Sequence, residues 1–224
     1  ISWEQAGVLL ILGLLYTSSS VFLFEAYSYI ASGLATTIIF LYPVLVAIIM
    51  VFLRVVPSWP VWLSIILTFV GVVIMTQSDS TQTINPIGSA LVYALFIVII
   101  NRSKIISNIS NSLLTFYALT VGAIIFLGKI TLSDIHITTG LTGNMVWLNL
   151  VGLAILPTVV STATLAIATR NIGATKASVL GVFEPVTAIL IGTVVFGEAL
   201  TTNIIVGILL SITAITFMIA KTKR

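Results

Sequence analysis

A bilayer core about 30 Å thick is crossed by a helix of about 20 apolar residues. Eight stretches of this chain approach that length, at 6–29, 33–53, 59–76, 86–103, 112–128, 145–168, 174–196 and 202–220. This is the strongest constraint on what the chain can fold into. Runs such as 91–100 (LVYALFIVII) and 203–215 (NIIVGILLSITAI) are apolar on every face, whereas barrel strands alternate apolar and polar over about ten residues. The expected fold is therefore all-α, a polytopic transmembrane helix bundle with eight helices visible. Composition agrees. Only 7% of residues are charged and 59% are apolar, against roughly 25% charged in a soluble domain. A soluble enzyme, a nucleic-acid binder and a disordered chain are excluded. The absence of cysteine removes disulfides, thiolate metal sites and a Cys nucleophile.

Orientation follows from the bias of Lys and Arg toward cytoplasmic loops. With the tail at 221–224 (KTKR) placed in the cytoplasm, Arg54, Arg102, Lys104, Arg170, Lys176, Lys221, Lys223 and Arg224 share that side, and Lys129 lies opposite. The expectation is an integral multi-pass protein of the prokaryotic inner membrane, with its C-terminus cytoplasmic. Trp3, Trp59, Trp62 and Trp147 fall near span ends, where interfacial anchors belong.

An internal repeat is visible at an offset of 142 residues, which lays 31–52 on 173–194 and brings Pro43 onto Pro185, Val44 onto Val186 and Ala35 onto Ala177. The shared pattern is an entry of small residues, a proline within the span and a further apolar span after a short turn. The first unit, 1–83, shows three spans, and the second, 84–224, shows five. Five is odd, so the units would cross the membrane in opposite senses, a plan that recurs in secondary transporters. On this reading two helices, roughly 57 residues, would precede Ile1, giving ten helices in two inverted five-helix repeats.

The segment 173–200 resembles the final repeat of EamA-type proteins in the drug/metabolite transporter superfamily. It carries a small-residue stretch, the mid-span pair Glu184-Pro185, the pair Gly197-Glu198, and a following span with Gly207 near its start. The segment 31–53, with Tyr42-Pro43, looks like the same element of the first repeat; Val56 stands where the matching acid would be. The resemblance implies a carrier of small organic metabolites, amino acids or similar, often an exporter, built from two inverted repeats.

Glu184 is the most informative side chain. It sits near the middle of its span, where a charge costs about 2.5–3.5 kcal/mol on insertion scales and faces a cavity or the bundle interior. It is the candidate for contacting substrate or coupling to protons; a buried acid bonded to a neighbouring helix is the alternative. Pro43 and Pro185 would each free backbone carbonyls one turn earlier, either lining a pathway or making a packing kink. Gly173, Ala177 and Gly181 recur every four residues, a spacing that favours close helix packing. Tyr16 with Ser19, Tyr93 with Ser89, and Thr158 with Ser161 and Thr162 form polar faces; they would line a cavity or bond within the bundle. Glu25 reads as a mouth residue and Glu198 as structural. His136 has no neighbouring ligand-type residue, so no metal site and no cofactor are expected. Asn108-Ile109-Ser110 matches a glycosylation sequon by chance on the cytoplasmic side. No Walker loop is present to supply ATP drive.

The reading is a secondary-active exporter working by alternating access, with a small-molecule metabolite as substrate, the lipid bilayer as surroundings and protons as a coupling ion. An ion channel or a non-transporting membrane scaffold is the alternative, and an intramembrane enzyme would need a nucleophile and base that the spans lack.

Overall fold

A computed structural model describes residues 1–29, 39, 42–75, 84–132, 143–181, 183, 184, 187, 194 and 202–222. Each of the eight apolar runs holds helix within these residues, in the order α1 (Trp3–Ala26), α2 (Tyr42–Phe52), α3 (Trp59–Met75), α4 (Ile84–Arg102), α5 (Asn111–Leu132), α6 (Asn144–Leu153), a π-helical stretch (Ala154–Val160), α7 (Ser161–Ile172), α8 (Ala174–Leu180) and α9 (Thr202–Thr222). Three helical segments, Trp3–Ala26, Asn111–Leu132 and Asn144–Ile172, are long and apolar enough to cross a membrane.

Large apolar side chains point outward along most helices, including Leu10, Phe24, Leu127 and Leu156. This is the arrangement a lipid solvent requires, because hydrocarbon is as apolar as the protein interior and packing, not water exclusion, holds the helices together. The packed interior is built from α1, α2, α4 and parts of α5 and α7, around Leu9, Val46, Phe96, Ile97 and Leu114. Helix α1 lies against α4 and α5, α2 against α4 and α8, and α3 along α9.

Close approach depends on missing side chains. A β-carbon at Gly13 would stand 2.5 Å from Val121 Cβ, so α1 and α5 meet there through a glycine. Hydroxyls bridge other helix pairs. Ser19 Oγ donates to Ser89 O (3.1 Å), Ser89 Oγ donates to Ser19 O (2.7 Å), and the two hydroxyls stand 3.0 Å apart, clamping α1 to α4. Ser64 Oγ donates to Ala214 O at 2.7 Å, tying α3 to α9.

One span differs from its sequence reading. The run 145–168 reads as a continuous helix, yet residues 154–160 form a π-helix containing Pro157. The proline has no N–H to give the carbonyl four residues back, at Leu153. Thr158 Oγ1 donates to that carbonyl instead, at 3.0 Å, and the wider turn follows. The symmetric bend expected at Pro43 and Pro185 is a different matter. Pro43 is buried in the first turn of the described part of α2, while residues 40 and 41 before it, and Pro185, lie outside the described residues.

Candidate functional site

Four aromatic rings from three helices form a continuous row in the packed interior. Tyr42 of α2 is 3% exposed and meets Tyr93 of α4 edge-on, with centroids 5.0 Å apart at 81°. Tyr93 stacks on Phe96 at 6.1 Å and 16°, and Phe96 meets Tyr16 of α1 at 5.5 Å and 49°. Edge-on and stacked contacts are the favoured arrangements of ring quadrupoles. The phenol groups at the ends of the row are held as well. Tyr42 Oη donates to Ser178 O at 3.1 Å, and Tyr16 Oη accepts from Thr162 Oγ1 at 3.1 Å.

Glu184 lies at the Tyr42 end. Its N–H donates to Gly181 O at 2.9 Å, Gly181 stands against the Tyr42 hydroxyl, and the Glu184 side chain is exposed. Gly181, one turn earlier, lets the row close: a β-carbon there would collide with the Tyr42 hydroxyl.

At the Tyr16 end a groove of about 460 Å³ opens between α1, α5 and the π-helical stretch, lined by Tyr16, Ser20, Phe24, Phe126 and Thr158 among others. It continues through Leu119, Ala123 and Val159 into a second space of about 410 Å³. Volumes of this order match small-molecule sites, about 300–1,000 Å³.

The structure thus brings Tyr42, Tyr93 and Tyr16 to one row, with Glu184 one turn beyond Gly181 at its Tyr42 end. Ser19 is buried beside it, with its hydroxyl engaged by Ser89. Ser161 is exposed, and its neighbour Thr162 makes the bond to Tyr16. Phe96, at the centre of the row, is not marked by anything in the sequence. Its position three residues after Tyr93 on α4 is the one available signal. Among the described residues no group of His, Asp or Glu could hold a metal ion.

The EamA-like transporter family matches residues 1–77 and 84–220. The chain belongs to that family. This EamA-like protein is accordingly a multi-pass integral membrane transporter of the drug/metabolite transporter superfamily, whose substrate is a small molecule. Members of the family are transporters and not enzymes. The crystal structure of another protein, 17% identical in sequence, aligns with 100% of the EamA-like chain and 78% of its own at a TM-score of 0.80. At that identity the likeness concerns the fold. No curated protein sequence matches the chain.

Proposed function

We propose that this EamA-like transporter is a secondary-active exporter of small organic metabolites, amino acids or similar, and that Glu184 couples the cycle to protons. One observation carries the reading: an exposed acid in the middle of an apolar span lies one turn from Gly181, which stands against the Tyr42 hydroxyl at one end of the aromatic row. A carboxyl group in that setting binds a proton or a substrate group, and either exchange changes its charge. Tyr42, Tyr93 and Tyr16 offer ring faces and hydroxyls for a small solute; Pro43 would flank the pathway, Pro185 lies outside the described residues, and Ser19 and Ser161 are the weaker members of the set.

The two units, 1–83 and 84–224, would act as inverted repeats rocking about this site. Contacts between their counterparts support that scheme. Helix α3 packs along α9, and α2 touches α8, each pair joining spans related by the 142-residue offset.

The test is reconstitution in liposomes. Solute counterflow separates a carrier from a channel, because only a carrier exchanges labelled for unlabelled solute. Glu184→Gln is expected to retain counterflow at equal pH and to lose accumulation driven by a pH gradient. Accumulation with normal pH dependence in that variant would remove Glu184 from coupling.

A further inference from the structure

At the end of the bundle formed by the last turns of α2, α4 and α7 lies a pocket of about 250 Å³ that plays no part in the proposed transport site. Two cations line it, Arg102 and Lys176, together with Ser58, Asn101 and Thr175. No carboxylate is among its described lining residues. Arg54 stands in the turn that leads into the same wall, with φ 61°.

Cations near helix C-termini ordinarily complement the last carbonyls and the dipole. Here several of those carbonyls already have donors. Ile49, Met50 and Val51 O accept from the N–H groups of Leu53, Val55 and Arg54, and Ile99 O accepts from Ser103. Thr169 O accepts from Gly173 N–H and from Asn101 Nδ2 at 3.0 Å. Arg170, nearby, is engaged by the backbone of the α4–α5 connection: its guanidinium donates to the carbonyls of Ile106 and Ile109. Arg102 and Lys176 have no acidic partner among the described residues and face the pocket instead. The remaining lining is apolar, from Met50, Val55 and Val61. At Gly173, with φ 89°, a β-carbon would meet nothing within 4 Å, so the wall there is open.

We propose that this pocket binds a phosphate group, with the headgroup of an anionic phospholipid as its occupant. Three features fit that chemistry. Two cations with no acidic partner among the described residues match a phosphodiester charge, in a fork from Arg102 and a point charge from Lys176. Hydroxyls of Ser58 and Thr175 supply neutral donors. Met50, Val55 and Val61 give the same lining an apolar part suited to glycerol and acyl carbons, and basic pockets between transmembrane helices hold phospholipid headgroups. The volume lies below the ~300 Å³ at which small-molecule sites begin, which suits a headgroup better than a whole metabolite.

Native mass spectrometry of the purified chain, titrated with short-chain phosphatidylglycerol, phosphatidylcholine or inorganic phosphate, tests the proposal. Phosphatidylglycerol is expected to bind the native chain in preference to phosphatidylcholine. The double variant Arg102→Gln/Lys176→Gln should weaken it about thirtyfold, the size set by two cations beside an anionic lipid. Lys104→Gln, a cation at the same end but outside the pocket, should bind as the native chain does. Ser58→Trp keeps both charges while filling the pocket, and it should lose binding too; it also carries the test if the double variant does not fold. Binding of inorganic phosphate that competes with phosphatidylglycerol supports the same site. Inorganic phosphate alone binding, lost in both pocket variants, would make a free phosphate the occupant. Equal binding of the two lipids, equal weakening by Lys104→Gln, normal binding by Ser58→Trp, or no response to any probe would overturn the proposal.

Discussion

Gly181 and Tyr42 occupy one another's space, and that gives the aromatic row its sharpest test. A β-carbon at Gly181 collides with the phenol oxygen, which is itself held by its bond to Ser178 O at 3.1 Å, so the ring can yield only by giving up that bond. Gly181→Ala is expected to destabilise the protein by about 1–3 kcal/mol, the ordinary cost of overpacking. Tyr42→Phe removes the obstructing atom, so the double variant should lose less than the two single variants together. Thermal inactivation in detergent reads this directly, and strictly additive losses would show that the contact is not what limits packing. At this scale the sequence was partly legible. Tyr16, Tyr42, Tyr93 and Glu184 stand out because polar groups in apolar spans are costly and need a reason to be there. Phe96 does not, because a phenylalanine inside the bundle and one facing lipid look alike in a sequence. The partners of Arg170 are backbone carbonyls of residues 61 and 64 positions away, and a carbonyl leaves no mark in residue identity. Ser19 and Ser89 were each visible as polar; their pairing across 70 residues was not.

At the scale of elements, all eight helices could be read because lipid demands long apolar runs and satisfies no backbone group itself. The break at 154–160 could not. Proline is tolerated in membrane helices as a kink, a π-turn or a simple gap, and only the packing around Pro157 decides among them. Here Thr158 supplies the bond that the proline cannot. Pro157→Ala should let the segment revert to α-helix and raise thermal stability by up to about 3 kcal/mol. The loss of one residue of offset would rotate α6 by about 100° against α7. Thr158 and Val159 would then leave the groove they line beside Tyr16. Counterflow is expected to fall while stability rises. Unchanged counterflow in a stabilised variant would show that the π-turn has no part in shaping the groove.

For the molecule as a whole, the distribution of Lys and Arg is the simplest handle. Eight of nine cations fall on one side in the proposed orientation, which places Asp134 on the opposite side from Arg102. The chain has no cysteine, so Asp134→Cys and Ser107→Cys can each be labelled singly in intact cells. Position 134 should react with an impermeant reagent from outside and position 107 should not; the reverse pattern would invert the orientation. The groups gathered on the Arg102 side also bear on how this bundle can deform. Arg170 fastens the end of α7 to the connection between α4 and α5, Asn101 fastens α4 to Thr169, and Thr162 holds Tyr16 of α1. These bonds would have to break together for α7 to shift alone, so the near half of the long helix behaves as a fixed post. Beyond the π-turn, α6 has no buried residue at all. Any swing of the 144–172 segment therefore has its joint at 154–160, with an exposed arm on one side and an anchored one on the other.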